Sequence, residues 1–240
     1  MKTRPLWAAV CASGLISGTA RADLDDAGFG TRLLAGLSPA SPGRLLDAAS
    51  DSLQYSDAYR ESLNVGMEVN YRLGNGWVPF ARLVYTNDRG RNVPVGLLTS
   101  GMAGTSTPVV ASFSNVSGIA LNLGARYVFR MSPVWQPFVS GYAGATLRSA
   151  LQADFSAASL GGDTGAQQVL SGGTRADAGV EAGIDRLIST DLSLGVNVAA
   201  NYLASQNTVT TTLTSVGIAN LAAHGPNWTF PLQLSMSYRF

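Results

Sequence analysis

Asp177, Glu181 and Asp185 fall four residues apart in a segment whose intervening even positions are apolar, and Arg175 precedes them at the same parity. Close carboxylates can act as a general acid and base. Four residues of extended chain span about 13 Å, however, which is too far for two carboxylates to work on one bond. Glu68, Arg72, Arg82, Arg126, Arg130 and Arg32 occupy matching polar positions in other alternating segments. Such groups, brought into one confined interior, must pair or stay wet, because an unpaired buried charge is costly. Their chemistry is then ion pairing, either as a structural plug or as a gate on a narrow ion path. The single histidine, His224, has Ala223 before it and Gly225-Pro226-Asn227 after it. A nucleophile must be oriented toward its base, and no serine lies in that run. There is no zinc-ligand cluster, phosphate loop or calcium loop. The sequence therefore points to no catalytic residue, no metal and no cofactor.

The elements that hold these charges show most plainly in the last thirteen residues. Trp228, Phe230, Leu232, Leu234, Met236, Tyr238 and Phe240 alternate with Thr229, Pro231, Gln233, Ser235, Ser237 and Arg239. A strand sends alternate side chains to opposite faces, so one face is apolar, with aromatics at both ends. The same alternation runs through 28–37, 61–73, 117–130, 174–186 and 191–204, and more weakly through 77–88 and 134–148. That makes eight strands. Short turns lie at about 74–76, 131–133 and 187–190, and long connections at about 38–60, 89–116, 149–173 and 205–227. Across the Gly74-Asn75-Gly76 turn, pairing Leu73 with Trp77 sets Glu68 opposite Arg82.

A soluble barrel or sandwich also has one apolar and one polar face. Three details favour a barrel in a membrane. The polar faces are rich in Gly, Ala, Ser and Asn, with few charges. Aromatic residues gather at strand ends. Long and short connections alternate, as in single-chain outer-membrane barrels. Eight strands enclose an interior just wide enough for side chains, which favours the plug over the gate.

Lys2 and Arg4, an apolar stretch from Leu6 to about Ala20, and Ala20-Arg21-Ala22 read as a secretory leader cleaved near Ala22. The stretch is too short to span a bilayer as an anchor, and Cys11 lacks the small-residue box of a lipoprotein. Beyond the leader there is no cysteine and no lysine. Thirteen arginines then face fifteen acids, a net charge of −2. Without a basic stripe, nucleic acid is not an expected partner.

On these features the chain resembles the small eight-stranded outer-membrane barrels of bacteria, namely the outer membrane protein A transmembrane domain and the opacity-like proteins. The resemblance covers nearly all of residues 23–240. It implies an all-β fold, an eight-stranded antiparallel up-and-down transmembrane β-barrel, seated in outer-membrane lipid. It also implies that Tyr238 and Phe240 form an assembly signal read by the barrel-assembly machinery. The His-x-Ser arrangement of barrel deacylases is missing at His224. Residues 92–125 and 205–227 carry no charge. Ser41-Pro42 could open a short helix with Leu45, Leu46, Ala49 and Leu53 on an apolar stripe. The expected function is a non-enzymatic surface protein whose loops contact an extracellular ligand or partner. The alternatives are a narrow conduit for a small or apolar solute and, third, a lipid-modifying enzyme.

Overall fold

The computed structural model describes residues 27–41, 44–47, 52–99, 106–129, 131–157, 162–163, 165–205, 211–213, 218–223 and 228–240. The leader with its cleavage site, Arg130 and His224 lie outside the described residues. Eight long strands close the main sheet into a barrel: β1 (Gly28–Ser38), β2 (Tyr59–Arg72), β3 (Trp77–Gly90), β4 (Val116–Val128), β5 (Trp135–Arg148), β6 (Gly173–Leu187), β7 (Leu192–Leu203) and β8 (Leu232–Arg239). Each pairs antiparallel with its neighbour in sequence, and β1 pairs with β8, so the barrel closes. Closure leaves no free edge in this sheet.

The two-residue alternation does what the sequence requires. Leu33, Met67, Leu83, Leu123, Val139, Val180, Val196 and Leu234 point outward and are exposed. Arg32, Glu68, Arg82, Asn122, Ser140, Glu181, Asn197 and Gln233 point inward and are buried. The expected turn joins β2 to β3, with Gly74 and Gly76 at φ of +77° and +89°, a region open to glycine at no steric cost. The Leu73 N–H donates to the Trp77 carbonyl at 3.0 Å, and Glu68 stands opposite Arg82. In the last segment, strand pairing is interrupted at Phe230 and Pro231, so the continuous strand expected over 228–240 splits into Trp228–Thr229 and β8. Pro231 has no N–H to donate. Its carbonyl still accepts from Ala199 at 3.0 Å, which keeps the segment against β7.

Directly opposed residues starting from Arg32 run through Glu68, Arg82, Asn122, Gly144 and Asp177 to Leu203. In the other direction they run through Ser237 to Ser193. The two paths thus meet β7 ten residues apart, at 193 and 203. This stagger tilts the strands and gives the barrel its small bore. Along β2 and the residue that follows it, the outward apolar row runs from Leu63 to Leu73. At about 3.4 Å per residue and a tilt of about 40°, it stands about 26 Å tall, close to the apolar band of membrane barrels. Phe29, Tyr71, Trp77, Trp135, Tyr238 and Phe240 ring the turn end. Tyr85, Tyr202, Trp228 and Phe230 mark the loop end. Among the described residues, no helix is long and apolar enough to cross a membrane.

The long connections build a second layer above the barrel. Segments 92–99, 106–113, 151–157 and 162–163 form one small sheet, and 167–170 also pairs with 151–157. Segments 44–47, 52–54, 211–213 and 218–223 form another. Beneath them lies an apolar core that includes Leu45, Tyr59, Val109, Phe113, Leu151 and Phe155. The helix expected from Ser41-Pro42 is not formed over the described part of that stretch. Arg44–Asp47 is a strand, paired with Ser52–Gln54 and with 222–223 of the last connection. Those cross-loop partners take its backbone hydrogen bonds, and tertiary pairing overrides the helical spacing. A single helical turn, Tyr55–Ala58, follows instead.

Candidate functional site

At mid-height the lumen is filled by three guanidinium groups and three carboxylates. Arg82 sits between two acids, 2.8 Å from Glu68 and 2.7 Å from Glu181. Arg126 reaches Glu68 at 3.0 Å. Arg32 makes a two-toothed pair with Asp185 at 2.9 and 3.1 Å and donates to the Ser235 hydroxyl at 2.6 Å. None of these six residues is more than 8 % exposed. The set is formally neutral, which meets the requirement that confined charges be paired. Inward aromatics flatten against the guanidinium faces: Phe80 and Tyr142 under Arg82 at 4.8 and 5.0 Å, and Phe138 under both Arg32 and Arg126 at 4.7 Å. A Cβ at position 195 would fall 1.9 Å from the Asp185 carboxylate. Glycine there gives Asp185 the room to meet Arg32.

This network separates two small cavities. The one on the loop side, about 100 Å³, is lined by Arg82, Asn122, Tyr142, Thr146 and Asp177. The one on the turn side, about 40 Å³, is lined by Arg72, Arg126, Gln136, Asp185 and Arg239. Each has room for only a few waters.

At the loop-end mouth, Tyr55 donates to Asp88 at 2.8 Å, and Arg148 donates to Tyr55 at 2.7 Å and pairs with Asp88. This cluster ties the helical turn above the barrel to β3 and β5. Tyr55 stacks on Tyr59 with ring centroids 4.4 Å apart. Burial raises the pKa of the Tyr55 phenol well above the ordinary tyrosine value, with Arg148 opposing the shift and Asp88 adding to it.

The sequence-derived charges therefore divide into groups. Arg82, Arg126, Glu68 and Glu181 join in one ion-pair cluster and Arg32 with Asp185 in a second, and the Phe138 ring lies between the two. Asp177 joins neither; its carboxylate accepts from Asn122 at 2.7 Å and Thr146 at 2.6 Å. Arg175 points inward but donates its Nε–H to the Ala204 carbonyl at 2.7 Å. Arg72 lines the turn-end cavity. Tyr238 and Phe240 point outward in the turn-end girdle, their rings packed edge-on. Sequence reasoning missed the Tyr55–Asp88–Arg148 cluster and the stacking aromatics. Phe80, Phe138 and Tyr142 carry the inward parity of their strands, so parity was the signal available for them. Tyr55 belongs to no alternating segment and had none. Among the described residues, no group of histidine, cysteine and carboxylate side chains could hold a metal ion.

Closure, outward apolar belt and charged lumen define the class: an eight-stranded barrel of the outer-membrane type. Among solved structures, the chain is similar to the outer membrane protein OprG from Pseudomonas aeruginosa, with a TM-score of 0.53 and 12% identity over 90% of this chain and 98% of that one. It also aligns with a major outer membrane protein from Thermus thermophilus (TM-score 0.45, 14% identity, 90% and 100% covered). Neisserial surface protein A aligns with a TM-score of 0.43 and 12% identity over 90% and 99% of the two chains. At these identities the likeness to OprG speaks for the fold alone. No protein-family model and no curated protein matches the sequence.

Proposed function

We propose that this protein is a non-enzymatic, non-conducting resident of the bacterial outer membrane that holds a packed platform at the cell surface. The observation that carries this reading is the neutral network of Arg32, Arg82, Arg126, Glu68, Glu181 and Asp185, buried across the bore. To open a path, charges held at 2.7–3.0 Å would have to be separated in a confined interior, at several kcal/mol per pair. The outer layer supports the contact role. Its sheets share an apolar core and lean on the barrel through Tyr55 and Tyr59, so the connections present a shaped surface. The orientation that fits is the loop end outward and the three short turns toward the periplasm.

Planar-bilayer recording of the purified barrel is the test. Wild type is expected to show no resolved current steps. Arg82→Ala with Glu181→Ala, which removes the central ion pair, is the control for a lumen that can be opened. Steady ohmic steps from wild type, with flux of a small solute, would replace this reading with that of a conduit.

A further inference from the structure

We propose that Arg60, Arg89 and Arg91 form a binding patch for the phosphate groups of outer-leaflet lipid. The proposal rests on the membrane placement above and adds the lipid class that one sector of the barrel selects. The patch begins with an irregularity in the β2–β3 pair. Tyr59 stands opposite Gly90 and Ser62 opposite Asp88, so Arg60 and Glu61 together face Arg89 alone. A bulge of this kind leaves the extra residue out of the ladder and re-aims its side chain. One step further, the Arg91 N–H donates to the Ala58 carbonyl at 2.9 Å, which keeps Arg91 beside the start of β2.

All three arginines are exposed. None makes an ion pair or a side-chain hydrogen bond with a described residue, whereas Arg32, Arg82, Arg126 and Arg148 are all engaged in the lumen or its mouth. The local acids do not cancel them. Glu61 and Asp57 are two charges against three, and the Asp57 carboxylate is turned back to accept the Gln54 N–H at 3.1 Å.

Their depth gives the patch its meaning. Leu63 and Tyr85 are the last outward apolar side chains of this sector. Asn87 stands opposite Leu63, and Arg89 lies two residues further on. Two residues are about 7 Å of strand, or about 5 Å of height once tilted. The headgroup layer occupies roughly 5–8 Å on each side of the hydrocarbon. Arg89 therefore sits at the level of lipid phosphates, with Arg60 across the bulge from it and Arg91 one step higher, within reach of its long side chain. At comparable strand ends elsewhere the outward residues are Ser117, Ser149 and Thr174, so the cation excess belongs to this sector. Guanidinium suits the ligand, because its planar fork binds phosphate oxygens in pairs.

The test uses the full chain, folded in a zwitterionic detergent. Native mass spectrometry counts retained molecules of a bisphosphorylated glucosamine lipid (lipid A) and of its dephosphorylated form. The comparison protein carries Arg60→Gln, Arg89→Gln and Arg91→Gln together. A cation near a membrane surface contributes about 5-fold, so three amount to roughly 100-fold. Wild type is expected to favour the bisphosphorylated lipid by at least about 10-fold, and the triple variant to lose that preference while its heat-modifiable mobility stays that of a folded barrel. Equal retention of the two lipids by wild type would overturn the proposal, as would a triple variant that keeps the preference. Competition by soluble tripolyphosphate at the lipid's own concentration would overturn it too, since the site would then be one for free polyanions. Incorporation into phosphatidylcholine vesicles is read separately. Failure to incorporate would sink the membrane placement, whereas incorporation without phosphate preference would sink only the patch.

Discussion

Replacing Arg82 with methionine tests the lumen most sharply. The change keeps much of the stem that packs against Phe80 and Tyr142 and removes the charge that joins two acids. Two unit charges about 4 Å apart interact by about 4 kcal/mol at an effective dielectric constant of 20. The two acids do not lose equally. Glu68 keeps Arg126 at 3.0 Å and Asn70 at 3.3 Å. Glu181 is left with the Ser140 hydroxyl at 3.4 Å, and its second oxygen is buried with no partner among the described residues. The loss therefore falls mainly on Glu181, and breaking such a pair typically costs 3–5 kcal/mol. Adding Glu181→Gln should recover most of that loss, and adding Glu68→Gln much less. Urea unfolding in lipid vesicles, followed by tryptophan fluorescence and by heat-modifiable mobility, gives the four free energies of each double-mutant cycle. A coupling of Arg82 to Glu181 below about 0.5 kcal/mol would refute the reasoning, because a pair so weak lies in the range of solvated surface pairs. Stronger coupling to Glu68 than to Glu181 would also refute it.

Gly195→Val should push the Asp185 carboxylate off Arg32 and lower the urea midpoint, while Gly141→Val, where a new Cβ meets nothing within 4 Å, should leave it nearly unchanged. The raised Tyr55 pKa makes the outer layer sensitive to alkali: its contribution is whole below the unfolded tyrosine pKa of about 10 and declines as pH rises toward the folded value, since the unfolded chain releases its proton first. Tyrosinate absorbance at 295 nm should show that Tyr55→Phe removes a late-titrating group; a spectrum unchanged by that substitution would count against it. Removing Phe240 should cut the yield of heat-modifiable barrel far more than synthesis, and an equal folded yield would argue against a terminal assembly signal. An epitope inserted near Gly104 should label on intact cells and one at Asn75 should not; the reverse pattern would invert the orientation.

Much of the barrel was legible because a strand encodes its two faces in nearest-neighbour order. The alternation of Leu63 to Leu73 with Asn64 to Arg72 needs no tertiary information to separate outside from inside. The Glu68–Arg82 pairing was legible too, since a tight turn transmits register over a few residues. The partners across the bore were not. Arg32 meets Asp185, and Arg82 meets Glu181, only because the sheet closes with a ten-residue stagger that brings β1 and β3 against β6. No local pattern contains that stagger. The same separation keeps Asp177 out of the network, although it shares parity with Glu181 and Asp185. The outer layer was least legible. Leu45, Leu46, Ala49 and Leu53 satisfy a helical stripe as well as a short strand, and period alone cannot decide a short apolar run. Pairing of 46–47 with 222–223, from the far end of the chain, decided it. The sequence by itself determined which side chains face outward and which inward, because that is local geometry. Only the tertiary structure decided which charges neutralise one another, because ion pairing depends on distances that closure of the barrel creates.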